Sequence, residues 1–299
     1  MASLENQNFD VSGPVHLLNS LDCIGTYAPP WWERFHFRLN RVLVDDNDSS
    51  IFGAIYEFKD AHQYAPKYVI AFRGTIKRFQ TLFQDMKLNF KFVYGHPAES
   101  PRFNKAYEAV LNTVDLAGAA NVWLAGHSLG ASIAMLAGRE LAKSGSYLET
   151  YLFSPPFNSV PIENLIKNQT LKHVVRIWAS LMKAGIATIM NRPSEDLEED
   201  AFIMLSKWKS NMFVNPNDPI CSEYIGYFQH RVNMDEIGLS SRAIGRESEP
   251  LHLLPTANLT VNNSLTESVK KAHKIHQWWQ EPFEGSTQLY RFDTDYPHY

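Results

Sequence analysis

Gly126-His127-Ser128-Leu129-Gly130 sets the tightest limit on how this chain can fold. The apolar run Val122-Trp123-Leu124-Ala125 precedes it and Ala131-Ser132-Ile133-Ala134-Met135-Leu136-Ala137 follows. A G-x-S-x-G therefore sits between a strand pattern and a small-residue helix pattern. A strand that turns at once into a helix forces its middle residue into a strained backbone conformation. The positions two residues away on either side must then carry no side chain, or a tiny one. Gly126 and Gly130 meet that demand. The turn holds the Ser128 hydroxyl clear of the backbone, and the start of the helix offers unpaired N–H groups and positive dipole to a developing oxyanion. Ser128 is thus a candidate nucleophile. The plainer reading is a glycine-rich turn closing a buried strand.

Strands and helices alternate around this turn. Ile51–Phe58 and Tyr68–Phe72 read as strands joined by a polar, proline-containing loop, and the second is apolar enough to be central. Residues 102–118 read as a helix leading into the 122–125 strand. Leu148–Phe153 is the next strand, ending at Ser154-Pro155-Pro156, and Met212-Phe213-Val214-Asn215 is another. Such alternation predicts an α/β fold, a mostly parallel central sheet with helices on both faces, in one domain over 1–299. Residues 1–30 are weakly patterned and end in Pro29-Pro30, so an irregular N-terminal arm is expected. Phe35–Leu39 alternates as a half-buried strand, with Trp32, Phe35 and Phe37 expected in the core. Asp45–Ser50 reads as a solvated acidic turn. Residues 160–210 read as a helical insertion, serving as a cap or as a surface for a partner, and the amphipathic, aromatic stretch 76–100 as a lid or as a docked helix and strand.

The strand at 68–72 stops at Arg73-Gly74-Thr75. Backbone N–H of Thr75 joining that of Leu129 would make an oxyanion hole, with the Thr75 hydroxyl as a third donor. After the strand at 212–215 comes Pro216-Asn217-Asp218-Pro219, and a carboxylate beyond a strand downstream of the serine suits the chain order Ser…Asp…His of an α/β-hydrolase. Asp218 is therefore the candidate acid, against a capping or Asx-turn role. The base has to come from the histidines beyond it. His230 follows Asp218 too closely to leave room for a last strand, and His298 adjoins the C-terminus. His273 and His276 stand at what reads as the start of a terminal helix and are the first and second candidates; His252 is the third.

Composition narrows the function further. A net charge of −4 offers no basic stripe for phosphates, so no nucleic-acid partner is expected. Two cysteines, Cys23 and Cys221, do not make a disulfide scaffold. The first residues lack the basic start and apolar core of a secretory signal, and no apolar run reaches membrane-spanning length, so the expected location is cytoplasmic. The N-x-S/T sequons at Asn47, Asn168, Asn258 and Asn262 are then read as chance.

These residues resemble the class 3 lipases, a family of fungal triacylglycerol lipases and their plant relatives. The resemblance rests on Tyr68–Thr75 (YVIAFRGT), Leu124–Ser132 (LAGHSLGAS), Pro155-Pro156 and Asn217-Asp218-Pro219-Ile220, and extends from Trp31 to Trp279. It is nearer to a plant branch often labelled GDSL esterase/lipase, although this chain has no GDSL block. It implies Ser128 as nucleophile, Asp218 as orienting acid, a histidine after the last strand, and Thr75 with Leu129 as oxyanion donors. The expected activity is hydrolysis of a carboxylic, acyl or lipid ester through an acyl-enzyme, with no metal or organic cofactor and with transient contact to a lipid surface. Acyl transfer to an alcohol would use the same residues. The family also includes plant signalling members in which the fold serves as an interaction scaffold, and a catalytically idle scaffold binding a protein or lipid is the alternative.

Overall fold

The computed structural model describes residues 31–60, 65–74, 101–157, 203–236, 254–264, 266–279 and 283–291. The expectations for the 1–30 arm, Thr75, the 76–100 stretch, residues 160–202 of the insertion, His252 and His298 lie outside the described residues.

Eight strands form one sheet whose spatial order follows the chain: β1 (Phe37–Val44), β2 (Ile51–Phe58), β3 (Tyr68–Phe72), β4 (Val122–His127), β5 (Glu149–Phe153), β6 (Ser210–Val214), β7 (Thr256–Asn262) and β8 (Gly285–Arg291). The five strands β3 to β7 are parallel, and β1, β2 and β8 extend the sheet antiparallel at its edges. The apolar runs are explained by this placement, because parallel strands are covered on both faces. In β3, Ile70 and Phe72 point into one core while Val69 and Ala71 point into the other; Leu124 and Ala125 of β4 and Leu152 and Phe153 of β5 divide in the same way.

Parallel neighbours need crossovers, which the helices supply. Helix α1 (Pro101–Ala117) joins β3 to β4, α2 (Leu129–Lys143) joins β4 to β5, and α3 (Glu223–Glu236) joins β6 to β7. All three pack on the Ile70–Leu124–Leu152 face. The opposite face is covered by 3-10 helices at Trp31–Phe35 and Ile275–Trp278, with Trp32, Phe35 and Trp278 against Tyr56, Phe153 and Phe213. Trp32 and Phe35 are only partly buried there, and Phe37 begins β1 rather than lying mid-strand. The turn at 45–50 is pinned rather than freely solvated: Arg102 of α1 donates to Asp45 Oδ2 at 2.6 Å, and Lys105 donates to Asp46 at 2.5 Å.

The end of the insertion also departs from the expected helix. Residues 203–206 make a helical turn, but the chain then joins the core, and β6 begins at Ser210. Trp208 is fully buried; its indole N–H donates to Leu148 O at 3.0 Å, and its ring fills the space beside Gly138. The bulk of this indole fixes where the insertion returns to the sheet.

Candidate active site

The carboxyl ends of β3, β4, β6 and β7 open on one edge of the sheet, where side chains from separate loops can converge. The β3–β4 register sets Phe72 beside Gly126, so the residues after each strand meet. Ser128 sits between β4 and α2 with φ 54° and ψ −126°, a strained conformation for a residue with a side chain. Its N–H donates to Phe153 O at 3.0 Å, which ties the turn to β5. A Cβ on Gly126 would lie 2.3 Å from Gly130 O, and one on Gly130 would lie 2.2 Å from Phe72 O. The glycines are therefore required because the first turn of α2 presses directly on the backbone of β3 and β4. Gly74 is held for a similar reason, since a Cβ there would come within 2.9 Å of Ser128 Cβ.

Asp218 lies in the loop after β6 and His273 ends a short helix, α4 (Val269–His273), after β7. Both are buried, as is Ser128. His273 Nδ1 is 2.8 Å from Asp218 Oδ2; the carboxylate only accepts, so Nδ1 carries the proton and donates. Nε2 is then free to accept, and the Ser128 hydroxyl donates to it at 3.0 Å. Asp218 Oδ1 accepts the Ile220 N–H at 3.1 Å, and Oδ2 also takes the Cys221 thiol at 3.2 Å. Donors on both oxygens and the near-complete burial of the group fix the carboxylate's orientation.

His276 goes elsewhere. The expected terminal helix is interrupted at Lys274, whose φ of −69° and ψ of 139° are extended. That break turns the next residues away from the face of His273. His276 is exposed, with its ring 4.8 Å from that of Trp279. His230 lies in α3, before β7. Leu129 is the first residue of α2, directly after Ser128, where a helical N–H has no intrahelical carbonyl four residues back to bond.

Two neighbours of the site escaped the sequence reading. His127 Nε2–H donates to the His273 carbonyl at 2.8 Å, and the two rings lie 5.0 Å apart. Burial first, and then the adjacent His273, push the His127 pKa down to about 3, so its imidazole is neutral. Its position inside G-x-S-x-G was visible, but nothing local showed that it would reach the loop carrying His273. Cys221 is a buried free thiol. Burial and then the charge of Asp218 hold it well above the ordinary thiol range, so it stays protonated and donates. Among the described residues no group of acids, histidines and cysteines could hold a metal ion, and no helix is long and apolar enough to cross a membrane.

A mostly parallel sheet with a serine on a strained strand-to-helix turn defines an α/β-hydrolase. Residues 68–180 match the family model described as Lipase (class 3). A GDSL esterase/lipase of Arabidopsis thaliana is 41% identical over 293 residues, covering 89% of this chain and 83% of that protein. The chain belongs to the plant class 3 lipase-like family of serine ester hydrolases. Among solved structures, a lipase from Rhizopus microsporus var. chinensis is 12% identical, with a TM-score of 0.38 over 74% of this chain and 70% of that one. A thermostable esterase from Pseudomonas putida is 11% identical, with a TM-score of 0.35 over 81% and 90%. Neither likeness is strong enough to bear on the site.

Proposed function

We propose that the protein hydrolyses carboxylic esters, of the acyl or lipid class that its family implies, through an acyl-enzyme formed on Ser128. His273 Nε2 takes the Ser128 proton as Oγ attacks the ester carbonyl carbon, and the carbonyl oxygen becomes an oxyanion. The Leu129 N–H is one donor to that oxygen, and Thr75 is proposed as the second on the strength of its place three residues beyond β3. Collapse of the tetrahedral intermediate breaks the bond to the leaving alcohol, which takes the proton from His273. Water then repeats the sequence: His273 removes its proton, hydroxide attacks the acyl carbon, and Ser128 leaves as its proton returns. Asp218 holds His273 in the Nδ1–H tautomer and balances the imidazolium charge. No step calls on a metal or organic cofactor. The aromatic composition of 76–100 suits transient contact with a lipid surface.

The observation carrying this reading is the unbroken run of hydrogen bonds from Ser128 Oγ through His273 to Asp218, 3.0 and 2.8 Å long. The idle-scaffold alternative rests on the long helical insertion and on an unassigned base, and a histidine within hydrogen-bond reach of both Ser128 and Asp218 supports the hydrolase reading over it. Purified protein should cleave p-nitrophenyl butyrate and take up one fluorophosphonate on Ser128. Ser128→Ala should do neither while retaining the wild-type melting temperature. Wild-type turnover by Ser128→Ala would refute the proposal.

A further inference from the structure

A buried carboxamide cluster links the Asp218 loop, the end of β7 and the His273 loop. Asn215 follows the last residue of β6, three positions before Asp218; Asn262 ends β7; Gln277 lies in the 3-10 helix beyond His273. All three are buried. Asn215 Nδ2 donates to Gln277 Oε1 at 2.6 Å and Asn262 Nδ2 donates to the same oxygen at 3.0 Å. Gln277 Nε2 donates to Ala272 O at 2.5 Å, the carbonyl immediately before His273.

Each amide has its orientation set by one main-chain group. Asn215 Oδ1 accepts the Asn217 N–H at 2.8 Å, Asn262 Oδ1 accepts the Ser264 N–H at 2.9 Å, and the Ala272 carbonyl can only accept from Gln277. With those three fixed, both asparagine NH₂ groups are left facing the one glutamine oxygen, so no member conflicts with another. Ile275 and Trp278, on either side of Gln277, are packed in the sheet core, and Trp278 meets Phe213 edge-on at 5.4 Å. The base therefore hangs from a segment anchored to the same strand end that carries its acid.

We infer that Gln277, held by Asn215 and Asn262, is a positioning residue that sets the distance of His273 from Ser128 and Asp218. This rests on the proposed triad. It touches no reacting atom and acts through the Ala272 carbonyl. A loss of register near 1 Å at a catalytic group costs about 10²-fold in rate.

Gln277→Glu tests it, because a carboxylate still accepts from Asn215 and Asn262 but cannot donate to Ala272. Gln277→Met, close in volume and without polar atoms, is the second variant. Active enzyme is counted by the fluorophosphonate endpoint, and kcat per active site is measured with p-nitrophenyl butyrate. Both variants should lose roughly 10- to 100-fold in kcat, with KM changed less than about twofold. In Gln277→Met, which adds no charge, the acidic limb of kcat/KM should move to lower pH, because a loosened contact with Asp218 stabilises the His273 imidazolium less. Wild-type kcat per active site in either folded variant overturns the inference. Wild-type protein that neither turns over nor takes the label would instead overturn the triad reading.

Discussion

Gly130→Ala sets two effects of opposite sign against each other. Gly130 is in the first turn of α2, where alanine in place of glycine is ordinarily worth about 1 kcal/mol of helix stability. Here the new methyl would lie 2.2 Å from Phe72 O, 2.4 Å from Phe72 C and 2.8 Å from Arg73 C. Ordinary contact begins at 3.4 Å, so α2 and β3 have to separate by 3.4 − 2.2 = 1.2 Å. Both sides of the contact are backbone, one in a hydrogen-bonded sheet and one in a helix, so no side chain can turn aside. Overpacking of this kind costs about 1–3 kcal/mol, and with no soft neighbour the upper end applies. The contact wins, leaving a net loss of about 2 kcal/mol and a fall in melting temperature of roughly 4–8 °C. The same displacement moves the ends of β3 and β4 against each other, so kcat/KM should drop about 10²-fold. Gly118→Ala is the control. Its φ of 80° strains alanine, but nothing lies within 4 Å, so it should lose about 1–2 kcal/mol of stability and no activity. Esterase kinetics and scanning fluorimetry on both variants decide the matter. Gly130→Ala that melts at or above wild type with unchanged kcat/KM would refute the packing argument.

Further outcomes follow from the groups around His273. His127 takes up a proton near pH 6.5 when unfolded and only near pH 3 when folded. The unfolded state therefore binds more protons between those values, and stability falls as pH is lowered through that window. His127→Gln should flatten the melting-temperature profile between pH 6.5 and 4; a profile parallel to wild type would contradict the assignment. In a Cys23→Ser background, Cys221 should react with a thiol reagent only after unfolding, since it is buried, protonated and bonded to Asp218. Rapid labelling of native protein would show the thiol is accessible. Asp218→Asn should keep the fold and lose about 10⁴-fold in kcat, the size expected when the histidine tautomer is no longer held; a loss under tenfold would argue that Asp218 does not orient His273.

The middle of the sheet was legible because β3, β4 and β5 bury both faces and so leave continuous apolar runs, and the G-x-S-x-G turn marks its own geometry. The far edge was not. Strand β8 exposes every residue but Tyr290, and with one face unburied it has no hydrophobic pattern to read. His273 ranked ahead of His276 in the sequence, but the two could not be separated cleanly there, for a different reason. Three residues apart, they share a face only if the helix continues, and the extended Lys274 that separates them has no strong local signature. Asn215, Asn262 and Gln277 are ordinary polar residues in sequence. What makes them a cluster is the parallel pairing of β6 with β7, which brings together positions 47 and 62 residues apart from Asn215.

Identity of the base is the central claim, and single-residue reactivity tests it most directly. The rate at which fluorophosphonate modifies Ser128 should be measured in His273→Ala and His276→Ala against wild type at neutral pH. His273→Ala should slow modification by at least about 10³-fold, as removal of a triad member does, while His276→Ala stays within about twofold of wild type. Rapid modification in His273→Ala, or a comparable collapse in His276→Ala, would contradict the account.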